Sequence, residues 1–255
     1  MIYKNVFFFH IPKGGGSSIE KMFLNENKFL DFTINVIFKE TKFSKFFVGT
    51  LRSRIWRIIV WRLVGLFFFD KENIWGVRKG KALQHLTYQE VINEKYLTEE
   101  KLNSLIKFCI VRNPYDRMIS AYHFIGGNSK FSDFVKYVHL EVNNYYRKNI
   151  EPFVVIMPQI EFIIDAKGDI KVENILYFEN LNKDFKDFCD KNSLELGEIP
   201  HINRRNRNKS SIKEYYNQEL ADIVYEMYRL DFKIFGYKKL LFKRKKRKKL
   251  IATTN

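Results

Sequence analysis

Cysteine is nearly absent from this chain. Cys109 and Cys189 are the only two in 255 residues, and neither sits in a Cys-x-x-Cys or metal-ligand spacing. That excludes a disulfide framework and a cysteine-built metal site, and it sets a reduced, cytoplasmic compartment as the expectation. Long apolar runs are missing too: the uncharged stretch from Leu63 to Phe69 falls well short of the ~20 residues that span a bilayer. Acidic residues are few, 29 Asp and Glu against 45 Lys and Arg, for a net charge of +16. Setting aside the seven basic residues Lys243 to Lys249 still leaves +9. Such a surface suits a polyanionic small molecule, an anionic glycan or an anionic membrane. No nucleic-acid recognition motif accompanies the charge, so nucleic acid is not expected as a partner. Met1 is followed almost at once by an apolar strand, so no signal peptide is expected ahead of the fold.

What is abundant is apolar and aromatic. Hydrophobic residues make up 45% of the chain, with 25 Phe and 14 Tyr, enough for one domain with a sizeable core. We expect that domain over residues 1–241, with a basic tail at 242–255 outside it. Glycine is scarce, at 12 residues, yet three stand together at Gly14, Gly15 and Gly16. They follow the apolar run Phe7-Phe8-Phe9-His10-Ile11-Pro12 and Lys13, and precede Ser17 and Ser18, which suit a helix start. Glycines let backbone amides approach an anion closely, and a helix N-terminus adds partial positive charge. A second segment repeats the plan: the strand Phe108-Cys109-Ile110-Val111, then Arg112, then Asn113-Pro114 opening a helix through Ser120. Two anion sites of this kind suggest a ligand with two separated phosphates.

Residues 3–10 and 106–112 read as buried parallel strands, and 17–25 and 115–126 as the helices that follow them. Ser132 to Asn143 continues helically, and apolar positions predict helices over Leu181 to Cys189 and Gln218 to Leu230. Phe162 to Asp165 and Ile175 to Phe178 are two more strand candidates. Strands alternating with helices predict an α/β fold, a central parallel sheet flanked by helices. Residues 46–69 stand apart as an insertion, mixing large apolar residues with Arg52, Arg54, Arg57 and Arg62. Two readings stand for it: an interfacial amphipathic helix, or a buried or acceptor-lining helix. The tail has two as well, an anionic-lipid contact or a solubility tail.

The glycine segment is not the usual nucleotide loop, in which lysine follows the glycines. Here Lys13 precedes them. With Arg112-Asn113-Pro114-Tyr115-Asp116-Arg117 and Ser120, the order resembles the sulfotransferase superfamily. It is most similar to the carbohydrate branch that includes heparan sulfate 2-O-sulfotransferase. The resemblance continues through Pro158-Gln159, Phe178-Glu179-Asn180-Leu181, Ile199-Pro200-His201-Ile202-Asn203 and Asp231-Phe232 to Phe235-Gly236-Tyr237. Gly14 departs from it, standing where the family usually has threonine, which removes a hydroxyl contact to the 5′ phosphate.

The resemblance implies a P-loop-NTPase-like fold and transfer of a sulfuryl group from 3′-phosphoadenosine 5′-phosphosulfate (PAPS) to a hydroxyl of a glycan or glycolipid. That chemistry needs a cation at the leaving oxygen and a base for the acceptor proton. No metal is expected, because the sulfuryl group carries less charge than a terminal phosphoryl group. Lys13 is the natural cation, beside the amides of Gly14, Gly15, Gly16, Ser17 and Ser18. Arg112 and Ser120 match the family's 3′-phosphate pair in type and spacing. Arg117 reads as structural, paired with Asp116 or lying on the helix surface. Ala82 to Thr87 reads as a short extended segment before a helix. The resemblance points to its His85, among the five histidines, as the base, with Glu20 and Glu90 left as alternatives. Asn208, Lys209 and Ser210 are candidates for covering the nucleotide, against a plain solvated loop, and Lys79 and Lys81 for meeting an anionic acceptor. Two rivals stand beside this reading: a non-catalytic binder of polyanions or membranes, and a small-molecule kinase. Lysine before the glycines and the Arg112/Ser120 pair speak against the kinase.

Overall fold

The two apolar segments that lead into the glycine and arginine loops are neighbours in one sheet. The computed structural model describes residues 1–26, 69–70, 75–78, 81–126, 129–148, 154–195, 199 and 212–242. Residues 46–68 of the insertion, Lys79, Asn208, Lys209, Ser210 and the tail from Lys243 onward lie outside the described residues.

Strand β1 (Ile2–Tyr3) turns back antiparallel onto β2 (Val6–Phe9), which leads through the glycine loop into α1 (Ser17–Glu26). A separate antiparallel sheet follows, β3 (Phe69–Asp70), β4 (Trp75–Arg78) and β5 (Lys81–Ala82). A 3-10 turn at Leu83–His85 then enters α2 (Tyr88–Asn93) and α3 (Glu99–Asn103). Next come β6 (Ile106–Val111), α4 (Pro114–Ile125), α5 (Phe131–Lys148), β7 (Asn174–Tyr177) and α6 (Leu181–Lys191). The last described elements are α7 (Ile212–Tyr215), α8 (Gln218–Met227) and α9 (Arg229–Ile234). The main sheet runs β1-β2-β6-β7, with β2, β6 and β7 mutually parallel.

Both faces of β2 and β6 are covered, which is why neither strand alternates apolar with polar. Phe7, Phe9, Cys109 and Val111 pack with Leu83, Leu86, Tyr88 and Phe162 on one face. Phe8, Phe108 and Ile110 pack with Ile19 and Phe23 of α1 and Phe185 and Phe188 of α6 on the other. A third cluster joins α4, α5, α8 and α9 through Tyr115, Met118, Val135, Val138, Val224 and Phe232. Each fully buried Phe contributes about 1.5–3 kcal/mol by transfer from water. Among the described residues no helix is long and apolar enough to cross a membrane.

Three sequence expectations change. The strand expected over residues 3–10 is broken by a turn at Lys4, whose φ of 52° reverses the chain between β1 and β2. Phe162 to Asp165 is not a strand. The backbone there forms a 3-10 turn over Gln159–Phe162 and keeps one bridge, Ile164 to Ile170, because the Asp231 carboxylate takes the Gln159 and Ile160 N–H groups at 2.9 Å each. The helix expected over 218–230 breaks at Tyr228 (φ −113°, ψ 31°), whose hydroxyl is drawn to the Ile156 carbonyl at 2.8 Å.

Candidate active site

The first loop leaves β2 at Phe9 and is held by its own backbone before α1 begins. Gly14 N–H donates to Ile11 O at 3.1 Å, and Glu20 N–H donates to Gly16 O at 2.9 Å. The Gly14 amide is therefore spent inside the loop, and the amides that follow it open the helix, where the first N–H groups lack intrahelical partners. Lys13 takes a left-handed φ of 64°, which costs a non-glycine residue roughly 1–2 kcal/mol. Its Nζ lies 4.2 Å from the centre of the exposed Phe124 ring.

All three loop glycines are required by close approach: a Cβ on Gly16 would stand 2.2 Å from the His10 ring. A Cβ on Gly14 would stand 2.5 Å from the Ile110 carbonyl oxygen of β6, and one on Gly15, at φ 104°, would stand 2.3 Å from the Phe178 ring. This explains the departure at Gly14: the loop lies directly on the backbone of β6, where no side chain fits. Restoring the family's residue with Gly14→Thr is expected to destabilise the protein by about 1–3 kcal/mol, the range for overpacking against groups that cannot move. Thermal unfolding of the variant against wild type measures this; an unchanged melting temperature would show that the loop can lift off the strand.

Arg112 leaves the end of β6 and is 8% exposed. Its Nε donates to Asp116 Oδ2 at 2.7 Å, its Nη2 lies 2.6 Å from the same oxygen, and its Nη1 donates to Lys13 O at 3.3 Å. The guanidinium also lies over the Phe178 ring at 4.2 Å. A guanidinium has five N–H donors, so these three contacts leave two for an anion. The second loop thus grips the first through the carbonyl of Lys13. Arg117 ties them again, but not as expected. Asp116 pairs with Arg112, and Arg117 is 2% exposed, donating to Pro12 O at 3.0 Å, Val155 O at 3.1 Å and Met157 O at 2.8 Å. Burial lowers its pKa. Asn113 caps α4 by accepting from Tyr115 N–H at 3.0 Å, and Glu179 accepts from Asn113 N–H at 2.7 Å. Ser120 is buried two turns along α4, and no hydrogen bond joins it to Arg112.

His85 lies in the 3-10 turn rather than in an extended segment, and the turn carries it to the first loop. Its Nδ1 is 2.9 Å from the His10 carbonyl, and the two rings are 4.5 Å apart. A carbonyl can only accept, so Nδ1 carries the proton and Nε2 keeps its lone pair. Burial first, then repulsion from His10, pushes the imidazole down to about 4. His10 is itself fixed by Glu20, Nδ1 to Oε1 at 2.7 Å. Burial acts to raise Glu20, but attraction and hydrogen bonding from His10 outweigh it and hold the carboxyl below its usual range. Glu90 is committed to a capping box with Thr87, accepting from Thr87 N–H at 2.9 Å while Thr87 Oγ1 accepts from Glu90 N–H at 3.1 Å. Both carboxylate alternatives thus have partners that hold them in structural contacts. Lys81 opens β5, the strand that runs into the His85 turn.

A model described as the sulfotransferase family matches residues 3–238. The chain belongs to the sulfotransferase family. This sulfotransferase has the α/β architecture of that family, its mostly parallel sheet flanked by helices, and sulfuryl transfer is its general chemistry. Comparisons with curated proteins and with solved structures returned no match. Three residues at the sulfotransferase loops carried no assigned role in the sequence: Gln159, Asp231 and Phe178. Gln159 and Asp231 stand in Pro158-Gln159 and Asp231-Phe232, and Phe178 opens Phe178-Glu179-Asn180-Leu181, so the only signal for each was membership of a family motif.

Proposed function

We propose that the protein transfers a sulfuryl group from PAPS to a hydroxyl of a glycan or glycolipid, as in the carbohydrate branch it resembles. The observation that carries this reading is the contact of His85 Nδ1 with the His10 carbonyl, which leaves a neutral Nε2 as proton acceptor beside the Lys13 loop. When bound, PAPS supplies the sulfuryl group and a bisphosphate leaving group. The residues present fit it. The amides of Gly15, Gly16, Ser17 and Ser18 open α1 beside Lys13, and Arg112 keeps two donors for a second anion.

In this reading Lys13 stabilises the charge that grows on the 5′-phosphate oxygen as the bond to sulfur breaks. Arg112 and Ser120 hold the 3′ phosphate, the feature that distinguishes this donor from ATP. His85 Nε2 takes the acceptor hydroxyl proton. Lys79 and Lys81, just before His85 in the chain, meet an anionic acceptor, and Asn208, Lys209 and Ser210 cover the nucleotide. The 46–69 segment and the basic tail add an anionic membrane surface as a further partner, which places the enzyme at the inner face of the membrane.

Replacing Arg112 by Ala tests the nucleotide assignment. Affinity for 3′-phosphoadenosine 5′-phosphate (PAP) is expected to fall about 10- to 150-fold, as for loss of a charge-assisted contact, while AMP affinity hardly changes. Calorimetry without magnesium reads both. Wild-type protein that bound AMP as well as PAP, or only with magnesium, would favour the kinase reading instead.

A further inference from the structure

We propose that Gln159, braced by Asp231, is the positioning residue that sets Arg112 for the 3′ phosphate; this rests on the assignment of that phosphate to Arg112. Gln159 and Asp231 are both 0% exposed and lie 47 and 119 positions beyond Arg112 in the chain. The β6–β7 ladder ends at Val111 opposite Tyr177, so Arg112 is the first residue beyond the paired strand. The Gln159 side chain takes up both of its backbone groups. Oε1 accepts from Arg112 N–H at 2.9 Å, and Nε2 donates to Arg112 O at 2.9 Å.

The orientation of this amide is forced. Asp231 Oδ2 accepts from Gln159 N–H at 2.9 Å and lies 3.4 Å from Nε2, while Oδ1 accepts from Ile160 N–H at 2.9 Å. A flipped amide would set Oε1 against both the Asp231 carboxylate and the Arg112 carbonyl, which only accept. Asp231 therefore locks Gln159, and Gln159 locks the Arg112 backbone. At the far end of the side chain Asp116 and Lys13 O hold the guanidinium. Arg112 is thus fixed at both ends before a ligand arrives. Such preorganisation lowers the ordering cost of binding for that one contact.

Calorimetric titration of PAP and AMP into four proteins tests this: wild type, Gln159→Met, Gln159→Glu and Arg112→Ala. Met keeps the length of Gln but makes neither bond. PAP affinity should fall about three- to tenfold in Gln159→Met, the equivalent of one or two net hydrogen bonds, with AMP within about twofold. Gln159→Glu supplies a reading that survives any misfolding of the methionine variant. Beside Asp231 the new carboxyl shares a proton at low pH and then donates as Nε2 does, but repels when ionised. Its PAP-to-AMP ratio, relative to wild type at the same pH, should approach one near about pH 5 and fall toward about pH 8. Equal losses for PAP and AMP in Gln159→Met, or a flat relative ratio in Gln159→Glu, would overturn the inference while Arg112→Ala still lowers the PAP ratio. If Arg112→Ala leaves that ratio unchanged, the phosphate assignment itself fails, and the inference falls with it.

Discussion

His85→Ala is expected to lower turnover by about 100- to 10,000-fold, the usual range for removal of a general base, with nucleotide affinity nearly intact. The affinity should survive because the proposed anion contacts lie on the Lys13 loop and Arg112, and His85 meets that loop at His10. His85→Gln keeps a polar side chain but supplies no base, so it should not restore the rate. The pH profile carries a sharper signature. An unperturbed histidine would give an acid limb near pH ~6.5. With its pKa pushed down to about 4, His85 is neutral across the neutral range, and its limb should appear only as pH falls below about 5. A folded His85→Ala enzyme with near-normal turnover would return the base to the carboxylates, Glu20 first.

The same shift reaches stability, with a definite sign. The folded pKa lies below the unfolded one, so the unfolded chain binds more protons between about pH 4 and pH 6.5. Stability is full above that window and is lost through it as pH falls, by about 3 kcal/mol for this group. Denaturant unfolding at neutral and acid pH should show that loss in wild type and a smaller one in His85→Gln.

Lys13→Ala should reduce turnover by about 100- to 1,000-fold, comparable to losing one preorganised donor at a developing oxyanion, and weaken PAP binding much less. The leaving oxygen carries its largest charge in the transition state, so a cation placed there acts on turnover more than on ground-state affinity. A rise in KM with unchanged turnover would make Lys13 a ground-state anchor instead. Backbone strain is controlled by a companion variant. Alanine inherits the left-handed φ of 64°, whereas Lys13→Gly removes the same side chain and relieves that conformation. The two should therefore match in turnover and differ in melting temperature, with glycine the more stable.

Much of the sheet was legible because its signals are local. An apolar run ending in Lys13 and glycines, and another ending in Arg112 and Pro114, gave strand, loop and helix start in order, and β2 and β6 do pair in parallel. The pairing of Asp116 was also open to local reasoning. Neighbours in a helix do not face each other, which disfavours Arg117 as its partner and leaves Arg112, four residues back. Gln159 and Asp231 were not legible. Each is a polar residue in a core, Gln159 joined to Arg112 across 47 positions and Asp231 to Gln159 across 72, and no periodicity encodes such a contact. The false strand at Phe162 to Asp165 has a related origin, since a distant carboxylate takes the N–H groups of Gln159 and Ile160, at the start of the 3-10 turn that leads into it.

The pairing of β2 with β6 acts as the ruler of the site. Phe8 stands opposite Phe108 and Phe9 opposite Cys109, and a fixed number of residues then leads to Lys13 on one strand and Arg112 on the other. Because both strands are apolar on both faces apart from Lys107, alternation of polar and apolar residues cannot by itself forbid a slip of one position. The stacked rings of Phe8 and Phe108, 4.7 Å apart, serve as the alignment mark. A slip would carry Lys13 about 3.3 Å along the sheet relative to Arg112, roughly one residue's rise. Chain length between Val6 and Lys13 is therefore under tighter constraint than the identity of most side chains within it, and a single-residue deletion there should abolish the site where many substitutions would only weaken it.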